Sequence, residues 1–202
     1  MTLKKTTIVV AGDELVAGHG DARSLGWAGR VAVRTHPSLA NAEFYTLSVP
    51  QEDTGAFAQR AFAEAQLRFS DSGINRLVLA PGSRDVDAGL STARSRLNLA
   101  NVLDEALAAE VSTFVVGPTP GRSESRNEKV AQLSAGFADV AHRRAVPYVD
   151  CFSPLKSHPV WQRDLASSSR EIPAQEGYGL ITWLVLNRGW YDWLGVQNVM
   201  EG

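Results

Sequence analysis

Short apolar, β-branched runs alternate along this chain with longer segments whose apolar positions recur every three to four residues. The runs Thr7–Ala11, Glu43–Val49, Arg76–Ala80, Thr113–Gly117 and Pro147–Asp150 read as strands. Between them, Leu99, Val102, Leu103, Ala106 and Leu107 fall at helical spacing, and so do Val130, Leu133, Phe137, Val140 and Ala141. Each set makes one buried face. Strands alternating with helices imply parallel pairing with right-handed crossovers, and hence a doubly wound α/β fold: a three-layer α/β/α sandwich around a five-stranded parallel sheet. A working site on such a sheet lies beyond the carboxyl ends of its strands. Those ends carry Gly12-Asp13-Glu14, Pro50-Gln51-Glu52-Asp53, Pro81-Gly82-Ser83-Arg84-Asp85 and Gly117-Pro118-Thr119-Pro120.

The 202 residues suit one domain over 1–202, with no internal repeat or linker; Ser167-Ser168-Ser169 is a polar loop too short to divide it. A net charge of -2 offers no basic surplus for a phosphate backbone, so nucleic acid is not an expected partner. The single cysteine, Cys151, follows an apolar run and reads as a buried structural thiol. Residues 1–7 run into the first strand without a separate apolar signal, and no stretch approaches the ~20 apolar residues of a membrane span. The expectation is a cytoplasmic protein with no membrane partner.

Several blocks then acquire meaning together. The first strand ends in Gly12-Asp13-Glu14-Leu15, followed by Ala17-Gly18-His19-Gly20 and Gly26-Trp27. Leu47-Ser48-Val49-Pro50-Gln51-Glu52-Asp53-Thr54 leads to Arg60, and Leu77 to Asp85 forms a third block. Val115 to Pro120, Pro147-Tyr148-Val149-Asp150 and Pro173-Ala174-Gln175-Glu176-Gly177-Tyr178 complete the series. In order and spacing the chain resembles the SGNH hydrolases, the GDSL esterase/lipase family, over nearly its whole length. The resemblance implies their flavodoxin-like α/β/α fold.

It also implies where catalysis should reside. The family attacks an acyl carbonyl with a serine, uses a histidine three residues after an aspartate as the base, and holds the oxyanion with a glycine amide and an asparagine side chain. The corresponding positions here are Glu14 for the nucleophile, Ile172 for the histidine, Ser169 for the aspartate, and Gln51 and Arg84 for the oxyanion donors. All five have changed type. A carboxylate is a poor acyl nucleophile and repels developing oxyanion charge. Losing nucleophile or base in a comparable serine-protease triad costs roughly a million-fold in turnover. These five are therefore read as vestigial positions, with no catalytic residue among them.

Replacements are scarce. His158 precedes a proline but lies fourteen positions before Ile172, and reads as a solvent-facing loop histidine. His19 belongs at the pocket rim, His36 in a helix-ending turn and His142 at a helix end; Ser48 and Ser83 are turn serines. Convergence of Asp13, Glu14 and Asp85 with Glu52 or Asp53 would suit a metal or a glycosidase-type acid/base pair, but the adjacent Arg84 argues against a cation site. No metal or cofactor is expected.

Glu14 and Arg84 should instead pair and plug the pocket; the alternative leaves Arg84 free to hold a carboxylate or phosphate, with Asp13, Glu14, Arg84 and Asp85 as possible ligand-binding residues. Trp183, Trp190, Tyr191 and Trp193 crowd the C-terminus, either covering the sheet or forming a protein-binding patch. The function expected is a pseudoenzyme that binds, scaffolds or regulates a protein partner or small-molecule ligand. The competing reading is an esterase with a non-standard catalytic arrangement.

Overall fold

The computed structural model describes residues 4–199. Its five strands are β1 (Thr6–Gly12), β2 (Ala42–Ser48), β3 (Ile74–Ala80), β4 (Ser112–Val116) and β5 (Tyr148–Val149). They form one parallel sheet in the order β2-β1-β3-β4-β5. Each expected strand is present, with ends displaced by one or two residues. The chain runs outward from β1 to β2, then crosses back to β3 and continues the other way. Gly12 and Ala80 therefore stand side by side at the carboxyl ends of β1 and β3, where the winding direction reverses. A crevice opens at such a point because successive connections leave on opposite faces.

The helices are α1 (Gly26–Thr35), α2 (Thr54–Gln66), α3 (Arg84–Ala88), α4 (Thr92–Ala108), α5 (Glu124–His142), α6 (Phe152–Lys156), α7 (Pro159–Ser167), α8 (Gln175–Val185) and α9 (Tyr191–Leu194). Alternation along β1 sends Val9 and Ala11 to one face and Ile8 and Val10 to the other. The first pair packs with Phe57, Leu99, Leu103 and Phe137 from α2, α4 and α5. The second packs with Trp27, Trp161, Tyr178 and Trp190 from α1, α7 and the C-terminal segment. Two apolar cores thus sandwich the sheet. Among the described residues no helix is long and apolar enough to cross a membrane.

The C-terminal aromatics divide. Trp190 is fully buried, Tyr191 nearly so, and Trp193 is partly covered, its ring 5.2 Å from both Phe114 and Trp190. Trp183, expected to help cover the sheet, instead points outward with 58% of its surface exposed. The reason is periodic: its α8 neighbours Thr182, Leu184 and Val185 are buried, and position 183 falls on the opposite side of the helix. Cys151 is buried at the start of α6, and burial pushes its thiol far above the usual range, which makes it inert.

Candidate active site

The turn after β1 is shaped by its own polar groups. The Asp13 Oδ1 accepts from the Leu15 amide at 3.0 Å, and the Asp13 carbonyl accepts from Val16 N at 3.1 Å and from Ser48 Oγ at 2.7 Å. Gly82, after β3, lies so near that a Cβ there would meet Asp13 Oδ2 at 2.2 Å. The Asp13 carboxyl is consequently pressed between two strand ends. Burial, and then the neighbouring Glu14 charge, push its pKa up to about 7.

Farther along, the loop is fastened to α1. Asp21 accepts from the amides of Arg23 (3.1 Å), Leu25 (3.1 Å) and Gly26 (3.0 Å), and forms a two-armed ion pair with Arg30. The Arg30 hydrogen bonds, assisted by those amides, hold the Asp21 carboxyl down at about 2. Gly18 and Gly26, both at positive φ, let the two ends of this loop touch; a Cβ on Gly18 would sit 2.3 Å from Gly26 N.

Glu14 is buried, and both its oxygens are engaged by one residue. Gln51 donates its backbone N–H to Oε2 at 2.9 Å and its side-chain Nε2 to Oε1 at 2.6 Å. To do so Gln51 adopts φ 58°, a left-handed conformation that costs a non-glycine residue roughly 1 kcal/mol. The two charge-assisted bonds offset that cost. This arrangement corrects the expected Glu14–Arg84 pair. Gln51 reaches the carboxylate from the β2 side with two donors, while Arg84 opens α3 with its side chain in solvent and makes no hydrogen bond or ion pair with a described residue.

Glu14, Gln51, Arg84, Ser169 and Ile172 nevertheless line one cavity of about 430 Å³ at the carboxyl end of the sheet. Asp13 lines it too. Asp85, expected among the possible ligand-binding residues, does not. It is buried in the first turn of α3, accepting from Thr54 N at 2.7 Å and Thr54 Oγ1 at 2.6 Å, where it fastens the start of α2. Glu52 reaches the wall, but Arg60 grips it at 2.7 and 2.6 Å, and Asp53 caps α2 through Ala56 N at 2.9 Å. Of the suggested carboxylates, Asp13, Glu14 and Glu52 share the wall while Asp53 and Asp85 serve the start of α2, and among the described residues no group of three or more His, Cys, Asp or Glu is placed to hold a metal.

No histidine lines the cavity. His36 caps α1 and His142 ends α5, as expected; His158 is half-buried before α7, rather than solvent-facing, with its Nδ1 enclosed. His19 lies outside the wall and accepts the Tyr178 hydroxyl on its carbonyl at 2.6 Å. Ser83 is held by Arg126 at 2.9 Å, and Arg126 in turn clasps Asp87 at 2.9 and 2.7 Å. Arg126, then Arg84, hold the Asp87 carboxyl below its ordinary range. Arg126, Asp87, Arg170 and Glu171 are wall residues that sequence reasoning missed. They sit in α3, α5 and a late loop without any motif, and only packing brings them together.

Residues 10–180 match the family described as GDSL-like lipase/acylhydrolase. No curated protein sequence is similar enough to count as a relative. Among solved structures, a lipase/acylhydrolase from Enterococcus faecalis superposes with a TM-score of 0.76 at 19% identity, covering 95% of this chain and 97% of that one. An acetylxylan esterase from Geobacillus stearothermophilus gives 0.75 at 13%, covering 96% and 98%. A psychrotrophic esterase from a Pseudoalteromonas species gives 0.70 at 16%, covering 94% and 98%. Catalytic mutants of the acetylxylan esterase carry alanine in place of a serine, an aspartate or a histidine.

Proposed function

The chain belongs to the GDSL-like lipase/acylhydrolase family, and we propose that within it this protein is a non-hydrolytic member whose cavity binds a small anionic molecule. The Glu14–Gln51 contact carries this reading. A fixed carboxylate accepts the backbone amide at the position where the family resemblance places an oxyanion donor. An acyl oxygen competing for that amide would have to displace a charged acceptor held by two hydrogen bonds and would meet its repulsion. The wall also lacks a histidine, and its serines are Ser83, bound by Arg126, and Ser169 on an exposed loop. Neither has a base.

Anion binding is supported by Arg84 and Arg170 on the wall, whose guanidinium groups make no hydrogen bond or ion pair with a described residue. Each presents a planar fork matched to a carboxylate or phosphate. The test has two arms. Purified protein should show no turnover of p-nitrophenyl acetate and no labelling by a fluorophosphonate probe; stoichiometric labelling of any serine would overturn the loss of hydrolysis. Calorimetric titration with succinate or inorganic phosphate should show binding that Arg84→Ala weakens about tenfold; undiminished binding by that variant would overturn the assigned contact.

One observation favours a second reading. Asp13, with one oxygen facing Gly82 and a pKa of about 7, is protonated and ionised in comparable amounts at neutral pH, as a general acid/base must be. Ester hydrolysis through Asp13 predicts turnover that survives Ser83→Ala and vanishes in Asp13→Asn.

A further inference from the structure

The charges on the wall of the Glu14 cavity do not cancel from within. Five acidic side chains line it, and three of them have an arginine of their own: Glu52 has Arg60 at 2.6 Å, Asp87 has Arg126 at 2.7 Å and Glu171 has Arg122 at 3.2 Å. Asp13 and Glu14, adjacent where β1 ends, pair with no basic group among the described residues. Arg84 and Arg170 on the same wall likewise have no acidic partner among them.

The two unpaired sets lie at different depths. Glu14 is buried and Asp13 half-buried at the end of β1, whereas Arg84 opens α3 and Arg170 sits in the loop between α7 and α8, both exposed. Asp13 Oδ1 takes the Leu15 amide, but Oδ2 accepts from no other described residue and is not enclosed, so it is free to accept from a molecule in the cavity. Gln51 satisfies the hydrogen bonds of Glu14 without neutralising its charge. That charge repels the Asp13 carboxylate and adds to burial, the larger cause, in raising its pKa. Leu15, Trp27, Val116, Ile172 and Ile181 give the same cavity an apolar wall.

From this arrangement we infer that the ligand is a small zwitterion, an ω-amino acid on a short carbon chain: its ammonium donates to Asp13 Oδ2 beside Glu14, its carboxylate accepts from Arg84, and its chain lies on the apolar wall. The inference rests on the anion-binding reading of this cavity and adds the cationic end. An ammonium suits the inner position because it brings positive charge, which no residue there supplies, and three N–H donors. A purely anionic ligand would serve the arginines and leave Asp13 and Glu14 repelling each other; a purely cationic one would leave Arg84 and Arg170 unpaired. The volume of about 430 Å³ lies within the range of small-molecule pockets and admits such a chain.

The experiment is calorimetric titration of the purified protein, near neutral pH, with 4-aminobutanoate, butanoate and butylamine, which share one carbon chain and differ in the charges they carry. 4-Aminobutanoate should bind with a dissociation constant of about 1 mM or lower, and each singly charged ligand about tenfold more weakly. Asp13→Asn should weaken 4-aminobutanoate about tenfold and bring it to the level of butanoate. Butanoate that binds as tightly as 4-aminobutanoate, with both weakened by Arg84→Ala, overturns the ammonium contact and leaves the anion reading standing. Butylamine that matches 4-aminobutanoate overturns the carboxylate contact and with it the zwitterion. Insensitivity of 4-aminobutanoate to Asp13→Asn overturns it too. Binding by none of the three also overturns it, and the titration with succinate or phosphate then decides the anion reading by itself. Should Asp13→Asn not fold, the comparison of the three ligands on the unmodified chain decides alone.

Discussion

Asp13 and Asp21 belong to the same loop after β1, eight residues apart, and the fold treats them in opposite ways. Asp21 is enclosed with a guanidinium and three backbone amides around it, and its pKa falls to about 2. Asp13 receives one local amide and a carboxylate neighbour, and its pKa rises to about 7. Burial acts against the charge in both. Burial, the larger cause, and then the Glu14 charge raise Asp13, whereas the Arg30 hydrogen bonds outweigh burial at Asp21. One end of the loop is a fastening, and the other stores an unfavourable charge on the wall of a cavity. Such unrelieved charge is characteristic of functional sites.

The sharpest way to break this contrast is to remove the fastening. Asp21→Ala leaves Arg30 and three amides without their acceptor, and should lower unfolding free energy by about 3 kcal/mol in urea denaturation. A loss below about 1 kcal/mol would show that solvent serves Arg30 equally well. The sign of the pH effect follows from the depressed pKa: the Asp21 contribution is full above the unfolded value of 3.8 and disappears as pH falls through about 2.

Asp13 should respond the other way, with a smaller effect. Its folded pKa is raised, so its contribution is present below 3.8 and is lost as pH climbs through about 7. Asp13→Asn keeps the acceptor for Leu15 N and removes the charge. It should therefore stabilise the protein at pH 8, by about 1–2 kcal/mol after allowance for solvent screening, and change nothing at pH 4. Destabilisation at pH 8 would mean that the carboxylate is better served than its surroundings indicate.

The smallest effect tests the coupling of Glu14 to Gln51. Gln51→Gly relieves a left-handed backbone but forfeits the Nε2 bond. In the Glu14→Ala background that bond is already gone, and Gln51→Gly should then stabilise by about 0.5–1 kcal/mol. A double-mutant cycle with no interaction energy between the two positions would show that Gln51 holds its conformation for another reason.

The sequence by itself determined the layered α/β fold, since the strand and helix periods fix which residues can share a buried face. The block order likewise pointed to Glu14, Gln51, Arg84, Ser169 and Ile172, and the structure gathers all five around one cavity. Such positions are legible because they sit at fixed offsets from strand ends, where the backbone leaves little choice of place. Side-chain partners were not legible. Opposite charge suggested that Glu14 would seek Arg84, but a nearer residue with two aimed donors took both oxygens. The same limit hid the fate of Asp85, which reaches across 31 residues to Thr54, and the clasp of Arg126 on Asp87. Only the tertiary structure decided these, because a hydrogen bond depends on tenths of an ångström and on direction, and the hydrophobic pattern along a chain encodes neither.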